Sequence, residues 1–422
     1  MKIAHFVQRY PPALGGSEAY FQRLSRYPSS HGHDVTVWTT NAIDLEAFWS
    51  ARGKMLPAGE SHDDGVTVKR FHCRRWPLRR YMLKALSFLP GPTWQSMTMP
   101  CNPIAFSMWR AAGQSDEPVD VVHATAFPYA WPIVCARRLA RRLNAKFFIT
   151  PFLHLGSPDV PNDPARRQYL SPRLQALLHS ADGIFVQTPL ERDAVRQIGI
   201  DENRIILQGM GVDQAECTGG DGVHFRRACK IADDAIVVGH LANLSYEKGS
   251  VDLLMAAQKA WERGANFRLV LAGPSMHNFR RIWMMYPHKD KVVLAGVLSD
   301  QQKRDFFAAI DLFALPSKSD SFGLVLLEAW CNGVPNLAYR CGGIADVIRP
   351  GEDGILVPCG PSDRIILSNV ETLSAELTRL VADGGLRQRL GMAGKQRVQR
   401  DFRWANKLAI VETAYRAPRP AH

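Results

Sequence analysis

Two carboxylates, Asp320 and Glu328, stand eight positions apart in PSKSDSFGLVLLEAWCNGVP, the stretch from Pro316 to Pro335. Ser317, Ser319, Asp320 and Ser321 are loop and N-cap types, Phe322 to Trp330 is rich in helix formers, and Gly333 with Pro335 stops the run. A helix beginning at Phe322 puts Asp320 at its mouth and Glu328 about two turns inside, so both can line one cleft. The first backbone N–H groups, those of Ser321, Phe322, Gly323 and Leu324, have no partner inside such a helix and suit an anion. A buried carboxylate is a natural acceptor for sugar hydroxyls. The bland alternative is that Asp320 only caps the helix and Glu328 faces solvent. Glu328 falls inside the apolar run LVLLEAW, where a surface glutamate is out of place.

Three other places carry residues of chemical interest. In PPALGGSEAYFQRL, Gly15 and Gly16 precede a helical pattern, which lets backbone approach a phosphate at a helix N-terminus; a plain turn reads equally well. The spacing is not GxGxxG, so the dinucleotide fingerprint fails. In HLANLSYEKGSVDLL, Lys248 before Gly249 places an ammonium at a helix mouth, where it would stabilise a departing diphosphate, and Asn243 five positions earlier can hydrogen-bond phosphate. His154, in TPFLHLGSPD, follows the apolar run Phe147 to Thr150, at the kind of strand end that opens on a cleft; His123 in VVHATAF is a weaker candidate. A single histidine is more often structural than catalytic.

The elements that must position these residues alternate strand and helix. Strands are expected at Ile3–Val7, Val35–Thr39, Val66–Phe71, Val119–His123, Phe147–Thr150 and Ile184–Gln187, with helices at Ser17–Tyr27 (Ser17 as cap), Ala130–Leu143, Pro164–Ser180 and Pro189–Ile198. A second series has strands at Ile236–Leu241, Phe267–Ala272, Val292–Ala295, Asp311–Leu315, Asn336–Tyr339 and Ile355–Val357, with helices at Lys248–Arg263, Asp300–Ile310 and Phe322–Asn332. This is an α/β chain of two Rossmann-like, doubly wound parallel-sheet domains, 1–208 and 209–400, followed by a C-terminal helical segment 401–422. Its 422 residues exceed one ordinary core.

Composition excludes several classes. Apolar residues at 46% and charged residues at 22% are typical of a globular protein; no apolar run is long enough to span a bilayer, and the N-terminus has no signal-peptide h-region. The eight cysteines are scattered without zinc spacing, which reads as reduced thiols in the cytoplasm. The net charge of +12 is partly local: Lys69, Arg70, Arg74, Arg75, Arg79, Arg80 and Lys84 share one segment without an acidic residue. From Arg74 to Arg110, aromatic and aliphatic residues interleave with these cations. An anionic membrane surface touched through 66–110, peripheral at the inner face, and an acceptor groove are both candidate readings; an irregular excursion packed on the first domain is slightly favoured.

SDSFGLVLLEAWCNGVP resembles the Glu-x7-Glu signature of retaining GT-B glycosyltransferases of the glycogen synthase and sucrose synthase-like class, family 4, with Asp320 in the first Glu place. GGSE at 15–18 resembles the family's GGxE loop, and the segment ending in EKG at 247–249 its diphosphate-binding segment, with Asn243 where an Arg is common. The resemblance implies two facing domains with the cleft between them, the last helix packing back on the first domain, and a UDP-, GDP- or ADP-sugar donor. It implies that Glu328 holds the ribose, that Asp320 and His154 address the transferred sugar, and that Gly15, Gly16, Asn243, Lys248 and the amides of Ser321 to Leu324 serve the diphosphate. It further implies front-face transfer to a glycan, polysaccharide or lipid-linked acceptor with no obligatory metal or cofactor; no DxD pair is present. The alternatives are a sugar-nucleotide epimerase on the same fold, an NAD-dependent oxidoreductase lacking its fingerprint, and a basic nucleic-acid or membrane-binding protein; no nucleic acid is expected as a partner.

Overall fold

Parallel strands joined by helices appear in both halves of the chain. A computed structural model describes residues 1–419. It divides into two units: Met1–Leu153 with Gln168–Gln208 and the C-terminal stretch from Leu408, and His154–Arg167 with Gly209–Lys407.

The first unit holds eight strands: β1 (Lys2–Val7), β2 (Asp34–Thr40), β3 (Gly59–Asp63), β4 (Val66–Phe71), β5 (Val121–Ala124), β6 (Lys146–Ile149), β7 (Gly183–Val186) and β8 (Ile205–Leu207). They form one sheet in the order β3-β4-β2-β1-β5-β6-β7-β8, parallel except for the β3–β4 pair. Apolar runs such as IAHFV are buried from both sides, as parallel strands require. The sequence patterns miss β3, GESHD, because it is a polar, largely exposed edge strand with no alternation to read. The helix expected over Pro164–Ser180 is two helices, Pro164–Tyr169 and Pro172–His179, because Pro172 disfavours helical backbone in the residue before it.

Near the chain's end the helix Trp404–Arg416 brings Tyr415 into the first unit's core, where its hydroxyl meets His5 Nε2 at 3.0 Å and His123 Nδ1 at 2.6 Å. His123 is fully buried and its Nε2 meets Thr150 Oγ1 at 2.7 Å, so this candidate is a core histidine.

The second unit holds β9 (Val237–Leu241), β10 (Arg268–Ala272), β11 (Val292–Gly296), β12 (Leu312–Leu315), β13 (Asn336–Tyr339) and β14 (Gly354–Val357). Their order is β11-β10-β9-β12-β13-β14, all parallel. In chain order within the unit this is 3-2-1-4-5-6, the doubly wound arrangement. Leu253, Leu254, Leu269, Leu271, Leu312 and Leu337 belong to the core on one face of the sheet.

Buried neutral histidines make the protein acid-sensitive. Burial lowers His5 to about 3 and His240 to about 4. His240 Nδ1 meets the Ala314 carbonyl at 2.8 Å, which fixes it as the donor, and Nε2 meets Ser250 Oγ at 2.9 Å. Below the ordinary value of 6.5 the unfolded chain takes up protons that the native one refuses, so stability falls as pH falls. Each histidine contributes about 2 kcal/mol of that loss by about pH 5. The thermal midpoint is expected to drop between pH 6.5 and 5 and to drop less in His240→Asn.

Candidate active site

The second sheet reverses its winding between its central strands β9 and β12, and in such sheets the loops leaving the carboxyl ends diverge there and open a crevice. Those loops are 242–249 and 316–323, and they carry Lys248 and Asp320.

Lys248 Nζ donates to the Ser319 carbonyl at 2.9 Å and to Asp320 Oδ2 at 2.8 Å. Gly249 has φ +72°, and a Cβ there would collide with the Pro316 carbonyl, so glycine is what allows the loops to touch. It also starts the following helix at Ser250 rather than Lys248. A second link comes from Lys318, which sequence reasoning missed. Its N–H donates to the Glu247 carbonyl at 2.9 Å, and its buried Nζ pairs with Asp252 Oδ1 at 2.7 Å and lies 3.8 Å from the centre of the Tyr246 ring. The Tyr339 hydroxyl donates to Asp252 Oδ2 at 3.1 Å and completes the cluster.

Burial pushes the Asp320 carboxyl up, but the Lys248 charge, His154 and its hydrogen bonds outweigh this and hold it below the usual carboxylate range. Asp320 Oδ1 accepts from the Phe322 N–H at 3.2 Å. The helix expected from Phe322 begins at Leu324 and runs to Cys331, because Gly323 has φ +82°, outside right-handed helical backbone. Gly323 is therefore the N-cap, not a serine or Asp320. The N–H groups of Gly323 and Leu324 have no protein acceptor among the described residues.

Glu328 lies in the second turn of this helix, only 7% exposed. Leu326, Leu327 and Trp330 are fully buried around it, and Trp330 Nε1 donates to the Asp353 carbonyl at 2.8 Å. One carboxylate oxygen, Oε1, accepts from Lys303 Nζ at 2.9 Å. The other, Oε2, is buried with no hydrogen-bond partner among the described residues. An orphaned charged oxygen is costly unless something arrives to fill it. Lys303 comes from the helix Asp300–Ala309; burial lowers its pKa, but the Glu328 carboxylate more than offsets this and raises it overall. Nothing local in QQKRDF distinguishes Lys303, so sequence reasoning had no signal for it.

His154 belongs to the same unit. Its segment is tied down where the Gly342 N–H donates to the Gly156 carbonyl at 2.7 Å and Ser157 Oγ to the Cys359 carbonyl at 2.8 Å. These bonds hold residues 154–167 with the second unit, although the chain reaches them from the first. His154 Nδ1 meets Ser319 Oγ at 2.7 Å. Burial and the nearby Lys248 charge lower its pKa to about 4, so the ring is neutral at neutral pH. Asn243 lines a cavity of about 460 Å³ together with Lys248, Ser245, Glu247, Met276 and Asn278. The second unit thus brings together His154, Lys248, Ser319 and Asp320, with Asn243 on the Lys248 side and Glu328 farther along the helix.

Gly15 and Gly16 lie in the first unit, where the loop after β1 enters the helix Gly16–Ser30. Ser17 is not the cap; its hydroxyl donates to Glu18 Oε2 at 2.8 Å. Glu18 is buried and paired with Arg9 at 2.7 Å, and Gln8 Nε2 donates to it at 3.0 Å. This buried pair neutralises the loop's carboxylate and stiffens the turn. Among the described residues no group of three or more His, Cys, Asp or Glu could hold a metal ion, and all eight cysteines are free thiols.

The fold is that of GT-B glycosyltransferases. Sucrose-phosphate synthase from Thermosynechococcus elongatus is similar over 98% of both chains, with a TM-score of 0.72 at 20% identity. Anabaena HepE, crystallised with UDP-glucose, is similar over 98% of this chain and 99% of its own, with a TM-score of 0.69 at 17% identity. Residues 15–211 match the glycosyl transferase 4-like domain and residues 224–397 match the glycosyl transferases group 1 domain. The chain therefore belongs to the group 1, GT4-like glycosyltransferases. In sequence it is 28% identical to a D-inositol 3-phosphate glycosyltransferase of Kribbella flavida over 62% of this chain and 62% of that protein. It is 27% identical to the Acidothermus cellulolyticus protein of the same name over 95% of this chain and 85% of the relative.

Proposed function

We propose that the protein transfers a sugar from a nucleoside-diphosphate donor to a hydroxyl of a glycan, polysaccharide or lipid-linked acceptor, with retention of anomeric configuration. The observation that carries the reading is the pair of vacant functions in the second unit. Among the described residues, Gly323 and Leu324 present amides without protein acceptors, at the end of the loop whose Asp320 pairs with Lys248, and Glu328 presents a carboxylate oxygen without a donor. A diphosphate fits the first and ribose hydroxyls fit the second. The structures of HepE with UDP and with UDP-glucose support a nucleotide-sugar donor.

In this reading the bond between the sugar's anomeric carbon and the diphosphate oxygen breaks while the acceptor oxygen bonds to the same face. The acceptor's proton passes to the departing phosphate. Lys248 and the helix-mouth amides neutralise charge growing on the leaving group, with Asn243 and Ser321 as further contacts of the diphosphate region, while the Phe322 N–H is already spent on Asp320 Oδ1. Asp320, held ionised by Lys248, and His154, held neutral, hydrogen-bond the transferred sugar. A cation placed this way supplies about 3 to 4 kcal/mol of transition-state stabilisation.

A thermal-shift panel of UDP-, GDP- and ADP-sugars identifies the base. The decisive assay follows release of nucleoside diphosphate: it is expected only when acceptor is added and to persist in EDTA. Rapid nucleotide-sugar isomerisation without acceptor would replace this reading with an epimerase. Loss of activity on chelation, restored by a divalent ion, would remove the metal-independent part alone.

A further inference from the structure

The first unit carries an apolar surface that the donor chemistry does not use. The helix Arg79–Leu86 turns only Arg79 and Leu83 inward. Arg79 donates to the carbonyls of Pro100 and Asn102, and Leu83 is buried. The outward side and the residues flanking the helix carry large apolar side chains beside the cations. Leu78 is 72% exposed, Tyr81 75%, Met82 50%, Phe88 78% and Leu89 51%. These side chains do not hang on a loose loop: the N–H groups of Phe88 and Leu89 donate to the Ala85 and Leu86 carbonyls, each at 3.2 Å, and Trp94 Nε1 donates to the Leu86 carbonyl at 2.8 Å. A surface helix normally exposes its polar face, and a clustered exposed apolar set marks a contact site.

The charge around this set has one sign. From Val66 to Ser115 the chain contains no Asp or Glu. Arg74, Arg80 and Lys84 are exposed, and no carboxylate pairs with them among the described residues. Exposed aromatic and aliphatic side chains rimmed by unpaired cations match the boundary of an anionic lipid leaflet, where the rings enter the acyl border and the cations meet phosphate. A second copy of the same face would set cation against cation. Nucleic acid would use the cations but leave Phe88 and Leu89 in water.

We propose that the Arg79–Leu86 helix and the turn after it seat the protein on a membrane surface containing anionic phospholipid. The inference rests on surface side chains and not on the donor reading; it is measured without nucleotide sugar, so either can fail alone.

The full chain is mixed with phosphatidylcholine vesicles, with or without phosphatidylglycerol, and floated on a density gradient. Flotation is expected only with phosphatidylglycerol and is expected to weaken as salt rises. Phe88→Ser with Leu89→Ser lowers partitioning about tenfold, and Arg80→Glu with Lys84→Glu removes the preference for anionic lipid. An unchanged thermal midpoint confirms that both variants fold. Three results overturn the proposal: no flotation of the wild type, full flotation of the Phe88/Leu89 variant, or sedimentation of the wild type as a dimer that the same variant converts to monomer.

Discussion

Replacing Glu328 by Gln is expected to lower kcat/KM for sugar transfer by about a hundredfold, with the loss falling mainly on donor binding. Two ribose hydroxyls donating to an ionised acceptor contribute about 1.5 kcal/mol each beyond water, and together about 3 kcal/mol, which is that factor. The glutamine keeps the shape, so the apolar packing of Leu326, Leu327 and Trp330 is untouched. Lys303 loses its carboxylate partner, but it is 30% exposed and water takes up part of the charge. The stability cost is therefore about 1 to 2 kcal/mol, below that of breaking a fully buried pair. Lys303→Met separates binding from positioning. Without the ammonium, Glu328 Oε1 loses the bond that orients the carboxylate, so donor KM should rise while kcat at saturating donor changes little. A Glu328→Gln enzyme within about threefold of native kcat/KM would remove Glu328 from the donor site.

The second large effect is on kcat. Lys248→Met is expected to reduce turnover at saturating donor by about a hundredfold to a thousandfold, the usual consequence of deleting one group aimed at developing charge. The ammonium is fixed by the Ser319 carbonyl and Asp320 Oδ2 before any ligand arrives, so little reorganisation remains for the reaction step. Its loss also changes Asp320. With the cation gone, burial is the dominant influence on that carboxyl and raises its pKa. The effects of Lys248→Met and Asp320→Asn should then be far from additive, since the two residues act as one unit. Lys248→Arg restores charge but offers a planar fork to contacts built for a compact ammonium, so only partial recovery is expected. Additive losses in the double variant would show that Lys248 and Asp320 serve separate steps.

The candidate site was legible where chemistry and local pattern coincide. Asp320 and Glu328 share one loop-and-helix stretch, and a glutamate inside LVLLEAW announces itself against its apolar neighbours. Lys248 precedes a glycine whose φ of +72° is the reason a glycine stands there. The start of the Leu324–Cys331 helix was misplaced by two residues because Gly323 looks like any residue in a helix-forming run until its backbone is seen to be left-handed. Lys303 and Lys318 were invisible. Each is an unremarkable lysine among polar residues, and each acquires meaning only through a carboxylate on another element.

The amino-acid sequence alone determined the two runs of alternating strand and helix, because burial on both faces of a parallel strand and one face of a helix is written as hydrophobic period. It also determined the family and the residue types that carry charge to the loops. Only the tertiary structure decided which loops meet. The order β11-β10-β9-β12-β13-β14 sets β9 beside β12 and so brings Lys248 within 2.8 Å of an aspartate seventy-two residues away. Strand order follows from how distant segments pack into one core, and hydrophobic period along a segment carries no record of its neighbours.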